Sequence, residues 1–268
     1  MKDFDTALAE ILAEIPGPLP CEDLSLNRAA EPVIGRVLSS DVHARRTHPP
    51  LAMSAMDGYA VRASDLPGDL RVEREIAAGQ HDQRALVAGE AVRIFTGAPL
   101  PPGADTIAIQ ENAIDIPGGV RFEQAETEGR FVRPAGLDFV EGDRLASAGA
   151  VVSPRLLALI AAGNNPAIPV VKRPRVAVLT TGDEIRAPGE ALGPAQIVSS
   201  NNLAVAAMAQ ACGAEATDFG SVGDSMPALE AAAERLQGFD IVVTTGGASV
   251  GKHDLVARAF EAQGLELA

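Results

Sequence analysis

IVVTTGGASVGKHD, residues 241–254, is the stretch whose reading decides the fold. Ile241, Val242, Val243 and Thr244 are consecutive β-formers and read as a buried strand. A glycine-rich turn over residues 245–251 follows, and HDLVARAFEAQG continues at helical spacing. A strand, a glycine turn and a helix start in succession present bare backbone N–H groups to an anion, and the helix dipole adds positive potential. Asp254 falls in the first turn of that helix, beside any bound phosphate. An acid there repels an anion unless it holds a metal or moves a proton. The competing reading is a tight βα turn with an N-capping Asp, and the stretch alone does not separate the two.

Moving back from that strand, the pattern after Pro166 and the basic link Lys172-Arg173-Pro174 is α/β. RVAVLTTG predicts a strand, SNNLAVAAMAQACG a helix closed by Gly213, ATDFGSVGD a strand and turn, and SMPALEAAAERLQG a helix with Pro227 near its start. Strands alternating with helices imply a parallel sheet with right-handed crossovers, which binds ligands at the carboxyl ends of its strands. Three loops share that edge: TTGDE (180–184), GSVGD (220–224) and TTGGASVGKHD (244–254). Each carries glycine and at least one acid, and the repetition favours a site. GLELA, after the last helix, reads as the start of a further strand. A doubly wound domain broken off there is incomplete, so the chain is expected to be a piece of a longer protein.

The amino-terminal half has a different texture. Phe4, Leu8, Ile11, Leu12 and Ile15 recur at helical spacing until Pro16-Gly17-Pro18 ends the helix. Leu24 and Leu26 lead into what reads as a second, small helix, followed by Val33, Ile34, Val37 and Leu38. From there to about residue 140, short β-rich runs alternate with Pro and Gly turns, the pattern of a small β domain. The segment from Arg133 to Val151 reads as a return into the first domain. SPRLLALIAAGN predicts a helix with Ser153 as its cap, Pro154 at the first position and Gly163 at the end.

Composition removes several function classes. The 268 residues, 47% hydrophobic and 22% charged, suit two or three globular domains. A net charge of −14 disfavours an extended phosphate backbone, and eight Phe, one Tyr and no Trp offer little for stacking bases, so no nucleic-acid partner is expected. Cys21 and Cys212 lie far apart, without metal-type spacing or a disulfide framework. No apolar run approaches the ~18 residues of a membrane span and the amino terminus does not read as a signal peptide, so a cytoplasmic protein is expected. No G-x-x-x-x-G-K-[ST] is present, which excludes a P-loop nucleotidase.

Six segments together carry a family resemblance: PPLAMSAMDGYAVRASD (49–65), IFTGAPLPPGADTIAIQE (94–111), VRPAGLDFVEGD (132–143), LTTGDE (179–184), VGD (222–224) and TTGGASVGKHD (244–254). In this order they resemble the molybdopterin molybdenumtransferase family, that is, MoeA-type proteins and the corresponding domain of gephyrin. The resemblance runs from about residue 4 to the end. It implies an α/β plus β fold: a mixed first, dimerising domain over residues 1–45 and 140–172, an inserted β domain over 46–139, and an incomplete, parallel, doubly wound MoaB/Mog-like α/β domain over 173–268, with the family's C-terminal β domain absent. It further implies a homodimer whose active site is shared between subunits. The implied reaction inserts molybdate into adenylylated molybdopterin with Mg²⁺ and releases AMP.

By that resemblance, Ser249 and the amides of residues 246–251, including Gly246, Gly247 and Gly251, would hold the terminal phosphate or the pterin side, with Thr181 and Gly182 beside them. Glu184, Asp224 and Asp254 would face the pyrophosphate and its Mg²⁺. Asp57, Thr96 and Asp138 would reach in from the partner subunit toward molybdate or metal. The chemistry agrees, because acids converging without His or Cys suit a hard cation that offsets phosphate charge.

Each residue also has a structural reading. Asp57 suits a turn, Thr96 a strand end, and Asp138 a solvated Gly-rich loop. Glu184 could cap a helix after its loop and Asp224 the helix that begins near Ser225. His43, His48 and His81 sit in loops without partners at metal-ligand spacing and are expected on the surface, and His253 at a solvated helix start. Two departures from the family pattern bear on activity. Lys252 stands where an acid is common, and the basic R-P-G-K-P segment is absent. The alternatives are therefore a non-catalytic molybdopterin-binding scaffold and, against the evidence of the inserted β domain, a molybdopterin adenylyltransferase.

Overall fold

The computed structural model describes residues 2–15, 17–26, 33–246, 255–261 and 264. Up to residue 171 the elements are helix α1 (Phe4–Ala13), strands β1 (Cys21–Ser25), β2 (Val42–His43), β3 (Met53–Ser54), β4 (Gly58–Val61), β5 (Gly68–Ile76), β6 (Glu90–Ile94), β7 (Thr106–Ile109), β8 (Ile114–Ile116), β9 (Gly119–Phe122), β10 (Val132–Arg133) and β11 (Arg144–Ala146), helix α2 (Pro154–Ala162) and strand β12 (Ala167–Val171). Then come β13 (Arg175–Thr181), β14 (Ile185–Arg186), β15 (Ile197–Val198), α3 (Asn201–Ala211), β16 (Glu215–Val222), α4 (Met226–Arg235), β17 (Ile241–Thr245) and α5 (Leu255–Glu261). The chain forms two compact units, one of residues 1–24, 32–39 and 169–268, the other of 25–31 and 40–168.

The second unit is built on a six-stranded mixed sheet in the order β7-β4-β6-β5-β9-β8, in which only β5 and β6 run parallel. Alternation along each strand sends successive side chains to opposite faces, and both faces are apolar. Ala60, Val92, Ile94 and Ile107 pack on one side, and Val61, Ala91, Ala108 and Val120 on the other. Gly58, inside the SAMDGYAV segment, sits where a Cβ would lie 2.2 Å from the Ala108 carbonyl oxygen, so neighbouring backbone leaves room only for glycine. In the same unit β2 pairs antiparallel with β11, against which α2 packs. Ser153 caps α2 by accepting from the Leu156 N–H at 3.2 Å, Pro154 opens it and Gly163 closes it, as the sequence predicts.

The first unit holds a three-stranded parallel sheet in the order β16-β13-β17. The central strand β13 is buried from Val176 to Thr181. Val176 and Val178 meet Val205, Ala206 and Ala209 of α3 on one face, while Ala177 and Leu179 meet Ala232 and Leu236 near α4 and Phe260 of α5 on the other. Helices on both faces make the sheet doubly wound, as expected.

Two expectations change. Residues 241–245 form a strand, but a half-exposed one: Ile241 is 50% exposed, while the fully buried run belongs to β13. CEDLS, read as the approach to a small helix, is a strand paired with β12, a segment to which the sequence reading gave no element. Their pairing joins distant parts of the chain, which local periodicity does not report. The small helix expected after Leu26 and the strand expected at GLELA fall on residues outside those described. Helix α1 forms, with Asp3 accepting from the Thr6 N–H at 3.0 Å. None of its residues is buried, and Phe4 and Ile11 are 78% and 65% exposed.

Candidate functional site

In a doubly wound sheet, ligands enter where loops at the carboxyl ends of adjacent strands leave toward opposite faces. Here that point lies between β13, whose chain goes on to α3, and β17, whose chain goes on to α5. The carboxyl ends are tied together. Thr180 Oγ1 and Thr245 Oγ1 are 2.9 Å apart, and the Gly182 N–H donates to the Val222 carbonyl at 3.1 Å. Gly246 (φ +91°) lies so close to β13 that a Cβ would stand 2.4 Å from the Thr181 carbonyl oxygen. These contacts bring the starts of all three predicted loops to one edge.

A cleft of about 260 Å³ opens there, lined by Thr180, Thr181, Glu184, Ser199, Asn201 and Gly246 among others. Thr181 is nearly buried (2% exposed), yet its hydroxyl has no hydrogen-bond partner among the described residues. A buried polar atom left unpaired costs free energy, and a ligand group entering the cleft would remove that cost.

The acids of these loops divide their work differently from expectation. Asp183, not singled out by the sequence reading, accepts from the Asp224 N–H at 3.2 Å and so ties the VGD turn to the TTGDE turn. Asp224 does not cap the following helix; Ser225 holds that position and makes no side-chain cap bond. Glu184 caps no helix either, because its loop continues into β14, paired in parallel with β15. Its carbonyl accepts from the Ile197 N–H at 3.0 Å, which closes that small pair. Gly247, Ser249, Gly251, Lys252, His253 and Asp254 lie outside the described residues. Among the described residues no three His, Cys, Asp or Glu converge to hold an ion, so Glu184 and Asp224 do not make a metal centre by themselves.

The other unit brings Asp57 and Thr96 together. Asp57 Oδ1 accepts from both the Thr96 N–H and the Thr96 hydroxyl, each at 2.8 Å. Thr96 therefore spends its proton on Asp57, and Asp57 is more than a turn residue. The Thr96 N–H, then the Thr96 hydroxyl, hold the Asp57 carboxyl below its ordinary pKa. A depressed folded-state pKa gives stability that is present above the unfolded value and lost as pH falls through the folded one. Thr96→Val removes the hydroxyl bond and keeps the backbone one. Its Asp57 carboxyl is expected to titrate at higher pH than in the unaltered chain, as read by the carboxyl carbon shift; an unmoved midpoint would show that the hydroxyl plays no part. Asp138 stands 3.6 Å from His48 Nε2, and His48 stacks on Phe139 with ring centroids 5.6 Å apart. His48 is exposed, as expected of a surface histidine, and has these two neighbours besides.

Residues 2–163 match the family described as the MoeA N-terminal region (domain I and II), and residues 177–267 the probable molybdopterin binding domain. The molybdopterin molybdenumtransferase of Nostoc sp. is 37% identical over 241 residues, covering 87% of this chain and 55% of its own length. That of Haemophilus influenzae is 32% identical over 98% of this chain and 65% of its own length. A crystal structure of the molybdopterin biosynthesis moeA protein from Pyrococcus horikoshii superposes with a TM-score of 0.83 at 30% identity, covering 98% of this chain and 66% of that one. The chain thus spans 55% to 65% of the length of these two curated relatives. With a family match over more than half its residues and this architecture, the chain belongs to the MoeA family of molybdopterin biosynthesis proteins.

Proposed function

We propose that the chain serves molybdenum cofactor biosynthesis as a molybdopterin molybdenumtransferase, inserting molybdate into adenylylated molybdopterin with release of AMP. The observation that carries this is the cleft at the β13–β17 carboxyl edge, with the orphaned Thr181 hydroxyl in its wall, inside the segment matched to molybdopterin binding. Thr181, Gly182 and Gly246, with Gly247, Ser249 and Gly251, would hold the phosphate or pterin side through backbone N–H groups and hydroxyls. Glu184, Asp224 and Asp254 would face the pyrophosphate. Mg²⁺, which is commonly held by one or two carboxylates together with substrate phosphates, would offset phosphate charge there. Its donors in this chain are oxygen-only, the class that suits it.

Asp57, Thr96 and Asp138 would act on molybdate from a second subunit. The homodimer is supported by the apolar stripe of α1 and the residues just after it, where Phe4, Ile11, Leu12 and Ile15 are all more than half exposed. A cytoplasmic place belongs to the same proposal; among the described residues no helix is long and apolar enough to cross a membrane.

The alternative is a non-catalytic molybdopterin-binding scaffold. AMP release from adenylylated molybdopterin by this chain separates the two. Release that requires molybdate is the expected result, whereas binding without release above a molybdate-free control would establish the scaffold.

A further inference from the structure

A polar chain runs from an exposed carboxylate on β16 to a buried hydroxyl in the wall of the cleft. Asp218, on β16, accepts the Asn202 Nδ2–H through Oδ2 at 2.5 Å, and through Oδ1 it accepts the Gly220 N–H at 2.8 Å. The register of β16 against β13 slips at this place, between the Val178–Asp218 and Thr180–Ser221 pairs. The carboxylate therefore fastens the irregularity in β16 to the first turn of α3. Asn202 Oδ1 in turn receives the hydroxyl proton of Ser199 at 2.6 Å. Asn202 and Ser199 are 5% and 6% exposed, and Ser199 lines the cleft.

The direction of this chain is set by chemistry. An ionised carboxylate only accepts, so the Asn202 amide must turn its NH₂ toward Asp218 and its oxygen toward Ser199. The opposite orientation would place two oxygens against each other at 2.5 Å. Ser199 must then donate inward, which leaves its oxygen with lone pairs only for any further partner.

Resting on the cofactor-site reading above, we propose that Ser199 is an acceptor-only position in the cleft that selects an amino group on the ligand's heterocycle. Asn202 and Asp218 act as positioning residues that commit its proton. A ring amine donates to such an oxygen; a ring carbonyl in the same place would meet it lone pair to lone pair. Adenine and pterin rings both carry an amine, so the chemistry is shared by the two ends of an adenylylated molybdopterin.

The test compares binding of AMP with inosine monophosphate, and of 6-hydroxymethylpterin with 6-hydroxymethyllumazine, each pair differing by amine against carbonyl. One pair is expected to show roughly tenfold preference for the amine, the size of one net hydrogen bond, and that pair identifies which ring Ser199 meets. Ser199→Ala should bring that ratio close to one by weakening the amine ligand alone. Asn202→Leu frees the hydroxyl to donate and should lower or reverse the ratio by strengthening the carbonyl ligand. A merely structural Asn202 would weaken both ligands alike and leave the ratio unchanged, which would overturn the proposal. So would equal binding within both pairs by the unaltered chain. Failure of all four probes to bind would instead contradict the cofactor-site reading beneath it.

Discussion

Gly246→Ala is expected to dismantle the cleft and weaken its ligand binding at least tenfold while the six-stranded sheet of the other unit stays folded. The added methyl would lie 2.4 Å from a backbone oxygen on the central strand, which cannot turn aside as a side chain can. The φ of +91° adds strain for any residue with a Cβ. Together these are expected to cost about 2 kcal/mol or more of stability in the three-stranded sheet. Because β17, among the described residues, pairs with β13 alone, that strain is most easily relieved by its carboxyl end moving off β13. The Thr180–Thr245 contact and the wall of the cleft would go with it. Thermal unfolding and binding of adenylylated molybdopterin, measured on the same sample, check this. Unchanged affinity would show that the ligand does not use this edge.

Glu90→Ala carries the second large effect, on stability alone. Glu90 begins β6 and is 1% exposed, within hydrogen-bonding reach of Arg84 at 2.8 Å and the Val87 N–H at 3.2 Å. Arg74, itself mostly buried, stands 3.8 Å away, paired also with Asp82, and its Nε has no hydrogen-bond partner. The exposed Arg84 pair counts for little, since water screens it. Arg74 decides the outcome, because removing one member of a buried charge pair leaves the other poorly compensated, at about 3 kcal/mol. Glu90→Gln keeps an acceptor for Val87 and should cost clearly less. Denaturant unfolding of the three proteins gives the order unaltered, Gln, Ala; an Ala variant as stable as the unaltered chain would mean that the network carries no net stability.

Much of the unit that holds the parallel sheet was legible in the sequence, for physical reasons. RVAVLTT is a near-continuous apolar run closed by a turn glycine, and the helices between strands show clear spacing and end signals, so the succession of elements and the placement of the loops follow. What stayed hidden depends on partners distant in sequence. The β1–β12 pairing is of that kind, and so is the bond between Asp57 and Thr96. The resemblance pointed to both of those residues but not to the fact that one consumes the other's proton. His48 beside Asp138, and Asp183 beneath the VGD turn, became visible only with coordinates. The Asp218–Asn202–Ser199 chain left a faint signal, a polar SSNN run at the start of a helix on the binding edge, which periodicity treats as ordinary capping. The apolar run of β17 reads as buried and is only half so, because an apolar strand signals burial without saying how many neighbours it has.

The central claim is that the β13–β17 edge is the molybdopterin site of this chain. Equilibrium titration of the unaltered chain with adenylylated molybdopterin tests it most directly, with Gly246→Ala and Glu90→Gln as companions. The account predicts saturable binding by the unaltered chain and by Glu90→Gln, and loss of at least tenfold in affinity for Gly246→Ala, about 1.4 kcal/mol. No saturable binding, or equal affinity in all three proteins, would contradict it.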